Sequence, residues 1–289
     1  MDLLTTPTEI INLHINKLLS LQDIMHLSLS CKTLFINMRI YDLSSRTIND
    51  KSLRQPIFQN ITNLNISDNG YIKNVSHLTN LRGLNINCCS IHKIHLTNIY
   101  NLTYLKGGHS IKIENISHLT TLTHLHLVSC SLSEINMFVN LRRLDLCGNS
   151  NMQYIPLITK LEELNIPYTT IFQGNINHLH NLTKLNIFGN SQINNINNLT
   201  NLIYLNAGGY TNNIRQNTIN NLSKLVHLKI QNNTNINSLT HMTHLTHLDI
   251  RGTSPIISNL YSLTSLRTDN SERISHLTNL CKLNKKIIG

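Results

Sequence analysis

The chain has no tryptophan, a single alanine at Ala207 and only 13% charged residues among its 289, an unusual make-up for a globular protein. Its 40% hydrophobic content nevertheless suffices for a large core. No stretch approaches the roughly 18 uninterrupted apolar residues that span a bilayer, so no membrane helix is expected. The opening MDLLTTPTE lacks a basic segment followed by an apolar run, so no secretory signal is expected there. The six cysteines show no framework spacing, and Cys88 and Cys89 are adjacent, as expected of an intracellular chain. Glycine-rich phosphate loops, carboxylate pairs at helix-fixed spacing and a cysteine set beside a histidine in a cleft are all missing, so no catalytic residue and no cofactor are expected.

What the chain has in excess is asparagine, 44 residues, together with isoleucine, leucine and threonine. Codon composition makes this the mark of an AT-rich genome, such as that of a large DNA virus, an intracellular bacterium or a protist. Asn-x-Ser/Thr triplets begin at Asn65, Asn101 and Asn221. Several fall where a packed unit leaves no room for a glycan, which favours the cytoplasm, that of the host for a viral or bacterial source, or the nucleus.

The dominant signal is a repeat. The pattern L-x-x-L-x-I/L-x-x-N/C/S/T begins at Ile61, Leu81, Leu102, Leu122, Leu141, Leu161, Leu182, Leu202, Leu225, Leu245, Leu263 and Leu280, with spacings of 17 to 23. Clear instances are LRGLNINCC, LRRLDLCGN, LTKLNIFGN and LTHLDIRGT. Over residues 61–284 the sequence resembles the leucine-rich repeat family in its short variety. The alternation within each unit independently suits a short strand with one buried face, and stacking such units pairs the strands in parallel.

A second apolar column stands three residues ahead of each start, from Leu78 and Ile99 through Phe138 to Met242, Leu260 and Leu277. About 11 residues remain for the return, too few for a full helix and two turns, so extended or 3₁₀ structure is expected on the convex side. A polar column follows each strand: Asn69, Cys89, Ser110, Cys130, Asn149, Thr169, Asn190, Tyr210, Asn233, Thr253 and Ser271. There a short side chain can serve backbone groups that lose their ladder partners. Tyr210 breaks the column, and AGGY marks an irregular turn.

Residues 6–40 carry helix signals instead. Thr6, Pro7 and Glu9 read as a capping box with proline at the first helical position, and Ser20 to Asp23 repeats the device. Ile11, Ile15, Leu18 and Leu19 share one helical face. Three such short helices bury too little surface to stand alone. These residues resemble the F-box family: Pro7, Glu9 and Ile10 match its opening, Leu19 its central leucine, Asp23 and Ile24 its acidic-aliphatic pair, and LSLSCK at 27–32 its closing segment. Thr6, Ser30 and Leu34 depart from the family pattern. The resemblance implies that Pro7, Glu9, Ile10, Ile15, Leu18, Leu19, Asp23, Ile24, Leu27, Cys31 and Lys32 bind a Skp-type adaptor, and through it a cullin-RING ligase. The repeats would hold a protein target for ubiquitination, in a chain that is monomeric outside that complex. There is no room for a ligase domain with its own catalytic cysteine.

The expected organisation is therefore an α/β fold. It has a small three-helix F-box-like domain at 1–40, a linker and atypical capping repeat at 41–60, and a leucine-rich repeat solenoid at 61–289 with a curved parallel sheet of about 12 units. The competing reading is an interaction module unrelated to ubiquitin, whose helices only cap the first repeat. In it, residues from Ile40 form an atypical first strand in register with Leu64.

Histidines are numerous, 16 in all. His77, His118, His178, His241 and His276 each stand four residues ahead of a repeat start, so the repeat explains them. His124 and His126 flank Leu125, and His227 and His247 are neighbours in one column, but no third ligand is delivered to either pair, and no metal site is expected. Charge is uneven: residues 1–50 hold four Lys/Arg against five Asp/Glu, and residues 51–289 hold 20 against 9. Basic residues scattered without interleaved aromatics argue against nucleic acid and for an acidic or mixed-charge protein target.

The third, fifth and seventh positions of each unit point away from the core onto the concave face. They present Tyr104, Lys106, His124, His126, Arg143, Asp145, Glu163, Lys184, Phe188, Tyr204, His227, Lys229, His247, Asp249 and Arg251 as the target-binding set. Tyr104, Phe188 and Tyr204 are expected to be exposed and without a packing role, as anchors of a binding surface are.

Overall fold

The structure is a computed structural model that describes residues 40–42, 48–88, 96–108, 116–130, 135, 137–270, 274 and 276–285. It divides into two compact units, Met1–Asn140 and Leu141–Gly289.

The first unit is built on five short parallel strands: β1 (Ile40–Asp42), β2 (Asn63–Asn65), β3 (Gly83–Asn85), β4 (Tyr104–Gly108) and β5 (His124–Val128). Each strand pairs with the next, and the fourth repeat position stays in register throughout: Tyr41 with Leu64, then Leu84, Leu105 and Leu125. The second unit has eight: β6 (Arg143–Asp145), β7 (Glu163–Asn165), β8 (Lys184–Asn186), β9 (Tyr204–Asn206), β10 (His227–Lys229), β11 (His247–Asp249), β12 (Ser265–Thr268) and β13 (Lys282–Lys285). Its central leucines run in register from Leu144 to Leu283.

The two apolar columns form the core. Ile61 and the first leucines from Leu81 to Leu263 are at most 1% exposed, and the second column from Leu78 to Leu277 is at most 5% exposed. Leu280 is half-buried, since no described layer lies beyond it. Phe138 and Phe58 are the largest fully buried side chains.

The return segments are mostly turns, with 3₁₀ pieces at Pro56–Phe58 and Gln173–Asn175. Among the described residues the return segments also hold two single-turn α-helices, which the repeat pattern does not provide for: α1 (Asp50–Leu53) and α2 (Gln216–Ile219). Both lie in the widest steps, 23 residues between strand registers, where the extra chain leaves room for one helical turn. Asn49 caps α1 by accepting the Ser52 N–H at 3.1 Å.

Nine of the strands, β2, β3 and β5 to β11, end in a tight turn whose eighth repeat position is left-handed. Asp68, Cys88, Ser129, Gly148, Tyr168, Gly189, Gly209, Asn232 and Gly252 all have φ between 50° and 103°. At Gly189 an added Cβ would lie 3.0 Å from the Tyr168 ring, so that position needs glycine for space as well as for conformation.

The polar column then satisfies the backbone of the turn. Asn190 is fully buried; its Oδ1 accepts the N–H groups of Gln192 and Ile193, and its Nδ2 donates to the Ile171 carbonyl at 3.0 Å. Asn69 and Asn233 do the same work. In the irregular unit Tyr210 is 87% exposed and Asn212 takes over: it is buried, accepts from Ile214 N–H and donates to the Ile187 carbonyl. Cys89, Ser110 and Ser271 of this column lie outside the described residues.

Neighbouring turns are also tied by side chains. The Nε2 atoms of His77, His118 and His276 lie 3.0–3.1 Å from the carbonyls of Leu53, Leu96 and Ile257, so these repeat histidines are structural. Asparagines just ahead of the first leucine donate to a carbonyl of the preceding turn, as Asn80 does to Gln59 and Asn181 to Thr159. Gln173 and Gln216 each accept two consecutive N–H groups of the next turn.

Candidate partner-binding face

Strand alternation sends the fourth position of each repeat into the core and leaves the third and fifth on the open face of the sheet. In the first unit that face carries Tyr104 and Lys106 on β4 and His124 and His126 on β5. The Tyr104 and His124 rings are tilted at 6.3 Å, and partial burial pushes the Tyr104 phenol above its usual range.

In the second unit the third-position row runs Arg143, Glu163, Lys184, Tyr204, His227, His247 across adjacent strands. Its first half is ionic: Glu163 accepts from Lys184 at 2.8 Å and lies 3.5 Å from Arg143. Its second half is a stack of rings, with Tyr204 and His227 at 6.3 Å and His227 and His247 at 4.3 Å. Lys229 sits 5.5 Å from the centre of the Tyr204 ring. Burial first, then His247 and Lys229, hold the His227 pKa below its ordinary value. These rings line a cleft of about 270 Å³ that also includes Asp249, Ser265 and Arg267.

A second, more open depression lies at the N-terminal ends of β6 to β9, about 590 Å³ in volume, among Arg142, Lys160, Glu162, Thr183 and Lys224. Arg142 and Glu162 form an ion pair there, and Lys224 donates to Asn201 at 2.7 Å.

Three members of the expected set are not free contact groups. Asp145 accepts the Cys147 N–H at 3.0 Å and so closes its own turn. Asp249 is 4% exposed, and both of its oxygens accept from the Arg251 guanidinium, at 2.9 and 2.7 Å. That pairing raises the Arg251 pKa. Fifth-position Asn65, Asn85, Asn186 and Asn206 cap the seventh-position N–H as Asp145 does. This is a structural role that the strand pattern alone does not reveal.

The aromatic residues also need correction. Phe188 and Tyr204 are half-buried, not exposed. Phe188 packs edge-on against Tyr168 at 5.3 Å, and Tyr204 packs on His227, because a strand spacing near 4.8 Å brings column neighbours into contact. Tyr104 alone of the three is exposed, at 40%.

The expected adaptor-binding residues, Pro7, Glu9, Ile10, Ile15, Leu18, Leu19, Asp23, Ile24, Leu27, Cys31 and Lys32, lie outside the described residues. Among the described residues no helix is long and apolar enough to cross a membrane, and no group of three His, Cys, Asp or Glu is placed to hold a metal ion.

No protein-family model matches the sequence, and no curated protein matches it. Solved structures do match the fold. The functional domain of InlJ from Listeria monocytogenes, which includes a cysteine ladder, superposes with a TM-score of 0.64 at 20% identity. That alignment covers 88% of this chain and 64% of the InlJ domain, so the chain spans less than two thirds of that relative's length. The internalin InlF from the same organism gives 0.57 at 23% identity, over 88% of this chain and 82% of the other. A leucine-rich repeat protein from Leptospira interrogans gives 0.60 at 20% identity, over 91% and 81%. The chain has the leucine-rich repeat fold.

Proposed function

We propose that the chain is the target-recognition subunit of an SCF-type ubiquitin ligase. In this reading residues 1–40 bind a Skp-type adaptor, and the open face of the repeats holds a protein target in the cytoplasm or nucleus. The row of third-position side chains supports target binding: Arg143, Lys184 and His247 project from rigid strands and are mostly exposed. Sites on strands are held more firmly than sites on loops. The F-box-like residues ahead of the repeats support the adaptor half.

The leucine-rich repeat fold serves equally in the second reading, a binding module unrelated to ubiquitin whose N-terminal helices cap the repeats. One observation favours that reading. β1 extends the sheet ahead of β2 beside a buried layer of Ile48, Leu53 and Phe58, and a terminal repeat needs its core covered. Deleting residues 1–39 separates the two. Cooperative thermal unfolding that survives with a modest loss supports an adaptor-binding domain, and its collapse supports a cap. Target binding is tested with Arg143→Glu and Tyr204→Ala on targets found by proximity labelling, where adaptor capture persists and target capture falls.

A further inference from the structure

We propose that the cleft across β9 to β12 receives an ionised carboxylate side chain from an extended acidic segment of the partner. This rests on the reading of the open face as the target-binding surface, and adds the chemistry of what that surface recognises.

The cleft is walled by Tyr204, His227, Lys229, His247, Ser265 and Arg267, contributed by four consecutive strands. Four of these six side chains are cationic or become so on protonation. The single carboxylate of the wall, Asp249, is buried and holds the Arg251 guanidinium with both oxygens, so its charge is compensated before any ligand arrives. Lys229 and Arg267 are in no ion pair among the described residues. The cleft is therefore an electropositive hollow whose cations stand without a carboxylate partner among the described residues, whereas Arg143 and Lys184 on the same face share the Glu163 carboxylate.

Its volume of about 270 Å³ falls below the range of about 300–1,000 Å³ typical of pockets for drug-sized ligands. It admits one or two side chains of an extended chain. Arg267 can hold a carboxylate with two parallel N–H donors, and Lys229 and the two imidazoles add single-point donors to the same group.

The histidines add a pH response. His227 is faced by Tyr204 from β9, by Lys229 on its own strand, by His247 and the compensated Asp249 from β11, and by Arg267 from β12. The local field opposes its protonation. The Thr246 hydroxyl lies 2.8 Å from Nδ1 of His247, which leaves Nε2 as the ring nitrogen available to a ligand. A carboxylate seated between the rings reverses the field, so binding takes up protons and tightens as pH falls from 8 to 6. Aspartate and glutamate side chains, with ordinary pKa values near 4, stay ionised in that window.

The test is fluorescence polarisation of labelled hexaglutamate on the full chain at low salt, with hexaglutamine, a phosphoserine peptide and an oligothymidylate as comparators. Hexaglutamate should bind about tenfold more tightly at pH 6 than at pH 8, and hexaglutamine should not bind. Lys229→Glu with Arg267→Glu should weaken hexaglutamate by roughly tenfold or more, while the charge-matched Lys51→Glu with Lys73→Glu stays within about twofold. The milder Lys229→Ala with Arg267→Ala guards against misfolding. His227→Gln with His247→Gln should keep binding at pH 8 and lose the pH response. Equal loss in both charge-reversed pairs, a pH response that survives without the two histidines, or tighter binding of the phosphopeptide or oligonucleotide through the same residues overturns the inference. If hexaglutamate fails to bind while labelled targets still depend on Arg143, the cleft inference falls and the target-binding reading stands.

Discussion

His227 and His247 stand in register on adjacent strands, with ring centroids 4.3 Å apart and planes 34° from parallel. Two imidazoles so close cannot both be charged without cost, and Lys229 adds to the repulsion. The folded pKa of His227 lies below its unfolded value near 6.5, so the unfolded chain takes up the proton first. The stability tied to this residue is complete above that value and is lost as pH falls through it toward the folded pKa. The free protein should unfold at lower temperature at pH 5 than at pH 7, and His247→Asn should raise the His227 pKa in an NMR titration. An unchanged His227 titration would show that the stacked pair is not coupled.

Asn190 serves three backbone groups from a fully buried position. Asn190→Ala leaves two N–H donors and one carbonyl without partners and should cost about 2–4 kcal/mol, read by denaturant unfolding. A loss within the scatter of surface substitutions would mean that the turn repairs itself.

Gly189 combines a φ of 66° with the Tyr168 ring 3.0 Å from where a Cβ would stand. Gly189→Ala should cost about 1–3 kcal/mol. The second variant Gly189→Ala with Tyr168→Ala should recover the steric part and leave the conformational part. If the double variant gains nothing back, the ring is not the obstacle.

Thiol reactivity should follow burial. Cys130 is buried, with its pKa pushed up to about 11, and Cys147 is raised by burial and then by Asp145, whereas Cys88 and Cys281 are exposed. In the native protein at pH 8, iodoacetamide followed by peptide mass mapping should find Cys88 and Cys281 alkylated well before Cys130 and Cys147. Early labelling of Cys130 would show that its layer opens.

The repeat, its parallel strands and both core columns were legible because identical apolar residues recur at a nearly constant step, and burial is what that step encodes. The left-handed eighth position was not, since Asp68, Cys88, Ser129, Tyr168 and Asn232 share it with the glycines and no residue type marks it. Asn212 could not be recognised as the substitute for Tyr210, because the slip of two positions shows only once the Gly209 carbonyl accepts its N–H. For the open face, register named the residues but not their partners. Phe188 against Tyr168, Asp249 under Arg251 and Lys229 against Tyr204 depend on side-chain direction across steps that periodicity does not carry.

Capture of the adaptor is the most direct measurement of the proposed role. Tagged full-length chain, expressed in a eukaryotic cell and purified, is probed for a Skp-type adaptor and a cullin beside a Leu19→Asp variant. The expected result is that the wild type retains both proteins and the variant retains neither, while the two share one thermal unfolding profile because the repeats are intact. A folded wild type that retains no adaptor contradicts the account and leaves the N-terminal segment as a cap on the repeats.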